Sequence, residues 1–529
     1  MHKLPKNSAA MIYGTTANLT FVALDDLGSL GPLFDTCREN SLFGLAELYP
    51  LPPTSMSAGD QLGFKPPTPV TPTGIMLPAG TVLADTWLLE APTPMHGDGA
   101  EAKLFARMFA ALILAVQPKQ VKTFSSSDWD RVVRKSTDDL VSAPGAVTML
   151  AGNKTHLRAY INDPRGVRFG SDRAGYSAEL VTQLETLEPL LRWEHARNET
   201  TELSNLLVKA LTADLFFHPE IGTVVDRPDR TRLTFNATTA ALCHSLAGKS
   251  VDELRYCADS WYIYYPYVKL ADIAVFASAN AFNRLPWARA ALQRSLDFGI
   301  AFARSQNYSF PVLSDYWPPF VPPPCGGDPG CGFENDVAYT FAYTMLRAWQ
   351  LGGQQNATLL GEAKAAFSHM HRGGMHANWS SGARGNDYEA ANGAIGMVAQ
   401  AMLWKISGGQ KEYLDGVYQT FRDWLPYVTT YQMTWGQHKG FMPTFLAVDA
   451  MPGAYPAPFE NHNTARYLAE LITLLGPDLD PIVADLCKLI IKFASGSTRY
   501  AYVLTLPVEN FLMLYTAQIK HRDYHYTRT

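Results

Sequence analysis

No apolar run in this sequence is long enough to cross a membrane. A membrane-spanning helix needs about 20 consecutive apolar residues, whereas the longest apolar stretch, residues 104–116, is shorter and contains Arg107. The sequence therefore predicts no integral membrane segment. Basic clusters are also missing, and the net charge is −5. Without clustered lysine and arginine there is no electrostatic footprint for nucleic acid, so we expect none as a partner.

Short motifs of nucleotide-dependent and elbow-type serine-hydrolase chemistry are missing as well. The sequence contains no Gly-X-Ser-X-Gly elbow, no phosphate-binding loop and no dinucleotide fingerprint. His369, His371 and His376 occur near Asp387 and Glu389, but their spacing does not match the usual zinc signatures. We therefore expect neither a metal nor a cofactor.

Cysteine is scarce, with six in 529 residues. Cys325 and Cys331 bracket the turn-forming sequence GGDPG, and we predict a disulfide between them. Asn-X-Ser/Thr acceptors, by contrast, exceed the roughly two or three expected by chance. They occur at Asn18, Asn153, Asn198, Asn236, Asn307, Asn356 and Asn378. These features indicate a secreted glycoprotein, although no signal peptide is recognisable; a cytosolic protein with buried thiols is the alternative.

An internal echo is the most informative feature that is present. Residues 338–354, AYTFAYTMLRAWQLGGQ, resemble residues 394–410, AIGMVAQAMLWKISGGQ, and the Gly-Gly-Gln marks begin at Gly352 and Gly408, which are 56 positions apart (408 − 352). Each copy is a proline-free apolar stretch, then a glycine pair, then a second helical stretch. A fixed period of this length is typical of stacked helical hairpins, which bury their apolar faces against neighbours. The same period predicts that Asp336 and Asn392 occupy equivalent positions.

The sequence therefore predicts a mainly α fold, an α/α toroid of about six helical hairpins with a smaller mixed α+β N-terminal region. We expect an irregular segment with a Pro/Thr-rich linker over residues 1–75 and a small mixed region over residues 76–175, including a hairpin at residues 146–163. The toroid domain is predicted over residues 176–529. Apolar residues recur there at helical spacing, as at Ala288, Leu292, Leu296 and Ile300.

Three long loops lead into predicted inner helices, over residues 314–336, 369–392 and 430–467. Long loops in a compact domain are usually functional, and equivalent loops of a toroid share one rim. Acids, histidine and tyrosine at one cavity mouth can transfer protons. The candidate catalytic residues are Asp315, Glu334, Asp336, Asp387, Tyr388, Glu389 and His462. The candidate substrate-binding residues are Tyr316, Trp317, Asn335, Tyr339, His376, Trp379, Asn392, Trp435, Asn463 and Tyr467.

Two other interpretations of these residues stay open. Asp and Asn at helix starts are favoured caps, and acids in a first turn complement the helix dipole. The tryptophans are equally suited to covering the apolar core. In addition, the run WYIYYPY at residues 261–267 is too aromatic to be all core, so we expect one or two of its hydroxyls to reach a cavity.

Three segments of the repeat region resemble successive helix starts of linalool dehydratase/isomerase-type proteins: ENDVAYTFAYTMLRAWQLGG (residues 334–353), NDYEAANG (386–393) and HNTARYLAELITLLGPDLDP (462–481). The resemblance implies an α/α barrel and cofactor-independent hydration, dehydration or isomerisation of a small terpene alcohol. The family's inner-helix histidine falls near Phe341, and its cysteine falls at Ala391. That acid–base set is therefore not conserved in this chain.

A carbohydrate-active toroid enzyme is the alternative. A uronate lyase needs a residue to neutralise the substrate carboxylate and another to move the α-proton, and residues 461–467 contain Asn, His, Arg and Tyr. A hydrolase needs two opposed carboxylates, such as Asp336 with Asp387 or Glu389. A non-catalytic secreted binding protein is the third reading. Under each, the partner is a small molecule or an oligosaccharide, and homo-oligomerisation stays open.

Overall fold

A computed structural model of the chain describes residues 2–3, 9–14, 19–25, 32–37, 42–47, 86–92, 98–116, 126–142, 147–150, 154–157, 180–212, 216–218, 222–224, 260–280, 286–305, 308, 337–372, 380–381, 387–388, 390–429 and 458–503. Helices dominate these residues. They are α1 (Asp98–Val116), α2 (Ser126–Ser142), α3 (Leu180–Arg197), α4 (Glu202–Thr212), α5 (Ser260–Ala279), α6 (Pro286–Ser305), α7 (Val337–Leu351), α8 (Ala357–Arg372), α9 (Ala390–Ile406), α10 (Lys411–Thr429), α11 (Pro458–Leu475) and α12 (Pro481–Val503).

The strands are short and concentrated towards the N-terminus. They are β1 (His2–Lys3), β2 (Ala9–Gly14), β3 (Leu19–Asp25), β4 (Pro32–Cys37), β5 (Leu42–Glu47), β6 (Thr86–Pro92), β7 (Val147–Leu150), β8 (Lys154–Leu157), β9 (Phe217–His218), β10 (Thr223–Val224), β11 (Ser380–Ser381) and β12 (Asp387–Tyr388). Strand β3 lies between β2 and β6 in an antiparallel sheet, and β4 lies between β1 and β5. The other strands form two-stranded hairpins.

The chain folds into two compact units. Unit 1 comprises Met1–Thr123, Glu389–Arg499 and His525–Thr529, and unit 2 comprises Phe124–Tyr388 and Tyr500–Tyr524. In unit 1, α9 packs on α10 and α11, and α10 packs on α1. In unit 2, α5 packs on α3, α6 and α7, and α7 packs on α8. The consecutive pairs α3–α4, α5–α6, α7–α8 and α9–α10 therefore form helical hairpins.

Within each hairpin the two helices differ in burial. Every residue of α7 from Val337 to Trp349 is buried, and so is every residue of α9 from position 391 to 403. Helix α10 instead buries one stripe, including Tyr413, Val417, Phe421 and Trp424. A helix that is buried all round is enclosed by neighbours, whereas a one-sided stripe marks an outer helix.

The two glycine marks end α7 and α9 in the same way. The N–H of Gly353 donates to Gln350 O and that of Gln354 to Trp349 O; the N–H of Gly408 donates to Lys405 O and that of Gly409 to Trp404 O. Gly353 and Gly408 both have φ of +72°. These bonds form two Schellman motifs, in which a left-handed residue terminates the helix.

The structural repeat is therefore 55 residues (408 − 353), with Trp349 and Trp404 equivalent, rather than the 56 read from the sequence. This one-residue shift aligns Asn392 with Val337, so the predicted equivalence of Asp336 and Asn392 is wrong. Matching the letters Gly-Gly-Gln misplaced the frame because the left-handed position falls on the second glycine of one copy and on the first of the other.

The predicted mainly α class is confirmed, with helical hairpins of the α/α-toroid type and a smaller mixed region of strands and helices. Helices α7 and α9 have the predicted bounds, and the hairpin predicted over residues 146–163 is β7–β8. One helix was predicted too long, since Phe217 pairs with Val224 in β9–β10 instead of extending α4.

The N-terminal segment contains strands β1 to β5 where the sequence predicted irregular structure. Strand β3 pairs with β6, which lies more than 60 residues further along the chain, so local periodicity carries little trace of this sheet. The domain boundaries over residues 1–75, 76–175 and 176–529 stay predictions. The cysteine pair 325 and 331 lies outside the described residues.

Candidate functional site

Most predicted site residues belong to the loops between described elements. Those outside the described residues are Asp315, Tyr316, Trp317, Glu334, Asn335, Asp336, His376, Trp379, Glu389 and Trp435. Asp387 and Tyr388 form β12, paired with Ser381 and Ser380 of β11, and His462 lies in α11. The convergence of the three loops on one rim stays a prediction.

Four predicted binding residues lie on described helices, and all four are buried. Tyr339 is on α7 in unit 2, while Asn392 on α9 and Asn463 and Tyr467 on α11 belong to unit 1. The last three lie on two helices that pack against each other. In unit 1, therefore, the structure places buried amides and a phenol on one pair of inner helices.

The most distinctive geometry on these helices is an arginine–tyrosine pair. Arg466 Nη1 donates a hydrogen bond to the Tyr467 hydroxyl oxygen over 3.2 Å, and the guanidinium lies 4.7 Å from the centre of the Tyr467 ring. Asn463 precedes Tyr467 by four residues, so both lie on one side of α11. A cation, a phenol and an amide are thereby held together within about one helical turn.

This arrangement has a chemical use. A tyrosine can carry a proton to or from a reacting group, and arginine is suited to carboxylates because its planar guanidinium can bind both oxygens. Arg466 is only partly buried, whereas Tyr467 is fully buried. The pair thus spans from a partly exposed cation to a proton carrier shielded from bulk water.

A second group of polar residues lies inside unit 2, and the sequence analysis missed it. We define the buried charge cluster as Glu185, Tyr265, Lys269, Asp272, Tyr343 and Arg347. Lys269 Nζ lies 3.9 Å from Glu185 Oε1 and 5.3 Å from the Tyr265 ring centre. Tyr343 donates a hydrogen bond to Asp272 Oδ1 over 2.5 Å.

The cluster joins three packed helices. Tyr265, Lys269 and Asp272 are spaced i, i+4 and i+7, so they share one face of α5. Glu185 approaches from α3 and Tyr343 from α7, where the Arg347 guanidinium lies 4.8 Å from the Tyr343 ring centre. All six residues are buried.

Burying charges costs several kcal/mol per ion unless pairing offsets it, at about the scale of a whole domain's stability. The pairing described above therefore fixes how α3, α5 and α7 pack. A sequence signal existed: Lys269 and Asp272 interrupt an otherwise apolar helix. It was missed because the search concentrated on loop residues.

Two tyrosines of the 261–267 run have structural roles. Burial raises the pKa of Tyr264 and of Tyr267 well above that of a solvated phenol. Tyr264 donates to the carbonyl of Gly299 over 2.7 Å, and the Tyr267 hydroxyl is hydrogen-bonded to Thr223. These two hydroxyls therefore tie α5 to α6 and to β10.

An open surface depression of about 580 Å³ lies along α2, lined by Asp130, Arg131, Arg134 and Lys135 among others. Its charged groups are engaged nearby. Arg134 binds Glu199, and Asp130 accepts hydrogen bonds from Trp193 and Arg197. The depression follows one helix and is distant in sequence from the predicted site residues.

Among the residues that the structure describes, no group of three or more His, Cys, Asp and Glu side chains is arranged to hold a metal ion. Cys487 is a buried free thiol. None of the described helices combines the length and apolarity needed to span a bilayer.

Comparisons with known proteins give limited similarity. No family model matches the chain, and no curated protein matches it. Among solved structures, a UGL variant with dGlcA-Glc-Rha-Glc is 14% identical with a TM-score of 0.35, covering 70% of this chain and 83% of its own. A polysaccharide lyase is 11% identical with a TM-score of 0.36, covering 96% of this chain and 58% of its own. Similarity at this level does not establish a shared fold.

Proposed function

We propose that this protein is a carbohydrate-active enzyme that cleaves a uronate-containing glycan by β-elimination. The observation that supports the proposal is the Arg466–Tyr467 pair on α11, with Nη1 and the phenolic oxygen 3.2 Å apart. Arg466 would bind the substrate carboxylate, and Tyr467 would move the proton. Asn463 on the same side of α11, and Asn392 on the adjacent α9, would bind sugar hydroxyls.

The reaction follows from these roles. Neutralising the carboxylate makes the hydrogen on the neighbouring carbon more acidic, because the electron pair left behind is delocalised into the carboxylate. Tyr467 takes that proton, the carbon–oxygen bond to the next sugar breaks, and a carbon–carbon double bond forms. The departing oxygen then receives the proton from Tyr467. Burial of Tyr467 excludes bulk water and strengthens the interaction with the arginine.

The test is incubation of the full chain with a panel of polyuronates while the ultraviolet absorbance of the conjugated double bond is recorded. We expect activity on at least one of them. Because general acid–base catalysis contributes about 10²–10⁴-fold, Tyr467→Phe should lower kcat by that factor. Arg466→Gln should chiefly raise KM.

Tyr418→Phe is the matched control, since Tyr418 is another buried tyrosine of unit 1, and its oxygen accepts a hydrogen bond from the Asp480 amide over 2.8 Å. We expect this variant to keep its kcat. Full activity of Tyr467→Phe contradicts the proposal. New reducing ends without absorbance indicate a hydrolase instead, and turnover of terpene alcohols alone indicates the lyase/isomerase chemistry that the sequence resemblance implies.

A further inference from the structure

Two of the seven Asn-X-Ser/Thr acceptors lie on described residues. They are Asn198 with Thr200, between α3 and α4, and Asn356 with Thr358, at the start of α8. In both acceptors the asparagine and the threonine are exposed. Exposure at both positions matters because an attached oligosaccharide is bulky and must project into solvent.

Asn198 is held in a fixed turn by its backbone. Its φ is +53°, its N–H donates to His195 O over 3.3 Å, and the next N–H donates to Glu194 O over 3.0 Å. Asparagine tolerates this left-handed helix end better than most residues. Its side-chain amide makes no hydrogen bond within the part of the chain that the structure describes. Substitution at Nδ2 therefore disturbs no contact of this turn.

Asn356 has a structural role that the modification leaves intact. Its Oδ1 accepts hydrogen bonds from the N–H groups of Thr358 and Leu359, over 3.1 and 3.4 Å, and so caps α8. An N-linked sugar replaces one hydrogen on Nδ2 and keeps the carbonyl oxygen. The cap is thus compatible with an attached oligosaccharide.

We propose that Asn198 and Asn356 carry N-linked oligosaccharides. In the transfer, Nδ2 forms a bond to C1 of the first sugar of a polyprenyl-diphosphate-linked oligosaccharide. The bond between C1 and the diphosphate oxygen breaks, the carrier leaves as its diphosphate, and one amide proton is released. The proposal places the protein in the secretory pathway and is independent of its proposed activity.

The experiment is peptide mass spectrometry of the protein isolated from the cells that make it, with and without amidase release in heavy-oxygen water. Release converts each occupied asparagine to labelled aspartate, and we expect label at both positions. Asn280 is the internal control. It is exposed, but its sequence lacks the hydroxyl residue and its Nδ2 donates to Phe276 O over 2.9 Å.

Variants separate the acceptor sequence from the fold. Thr200→Ala and Thr358→Ala should each abolish label at the neighbouring asparagine, and Thr200→Ser and Thr358→Ser should keep it. Unlabelled peptides at both sites overturn the proposal. Label that appears only after an added signal peptide directs the chain into the secretory pathway also overturns it, because the natural protein is then not modified.

Discussion

Tyr343 on α7 donates its hydroxyl hydrogen to Asp272 on α5, with 2.5 Å between the two oxygens. Tyr343 is fully buried and Asp272 is 2% exposed. The bond links two inner helices of unit 2 at a carboxylate that has lost almost all contact with water. Because the acceptor is charged, this bond should contribute more to stability than an ordinary one.

Tyr343→Phe should therefore lower the free energy of unfolding by about 1.5–3 kcal/mol, the range for a hydrogen bond to a charged group. Urea denaturation measures the change. The matched comparison is a double-mutant cycle with Asp272→Asn, which should give a coupling energy within the 0.5–3 kcal/mol typical of residues in contact. Strictly additive effects would show that the two residues do not act as a pair.

The frame of the repeat makes a prediction about three glycines. Gly353 and Gly408 have φ of +72°, whereas Gly352 does not have a positive φ, and a Cβ there meets only ordinary contacts at 3.5 Å or more. A left-handed conformation costs an L-residue roughly 1–2 kcal/mol. We expect Gly353→Ala and Gly408→Ala to lose about this much stability and Gly352→Ala to lose little. Equal losses at Gly352 and Gly408 would restore the 56-residue frame.

Gly393 is predicted to be required by close packing. A Cβ there would lie 2.5 Å from Trp424 Cδ1, and Trp424 is fully buried. Overpacking of this kind costs about 1–3 kcal/mol, so Gly393→Ala should lower the urea midpoint. The control is Gly361→Ala on α8, where no atom lies within 4 Å. Alanine is the better helix former by about 1 kcal/mol, so this variant should be stabilised.

Stability should fall at alkaline pH. Burial raises the pKa of Tyr418 and of Cys487 to about 12, above the ordinary values of 10.0 and 9.0. The folded protein keeps these protons to a higher pH than the unfolded chain does. Their contribution to stability is therefore complete below the unfolded pKa values and is lost as the pH rises through the folded ones.

Urea midpoints measured from pH 8 upward test this effect, and we expect a decline that steepens above the ordinary pKa of each group. Tyr418→Phe removes one of the two groups and should flatten the decline. A midpoint that does not change with alkaline pH would contradict the assigned burial of these side chains.

Sequence and structure agree best where local periodicity is strong. The bounds of α7 and α9 follow from their proline-free apolar runs and the glycines that end them. The sheet of β2, β3 and β6 was not predicted, because its pairing joins segments far apart in the sequence. The loops that hold Asp336, Asp387 and Glu389 carry the predicted catalytic site, and their convergence is still a prediction.

By itself, the sequence determined that the chain is mainly helical and built of hairpins, because helical spacing and terminating glycines act over a few residues. It also supplied Asn463 and Tyr467 as candidates from residue type. Only the tertiary structure decided the 55-residue frame, the contact between Arg466 and Tyr467, and the burial of Lys269 and Asp272 between α3 and α7. Backbone dihedral angles, side-chain contacts and burial depend on how distant segments pack, and residue spacing does not encode them.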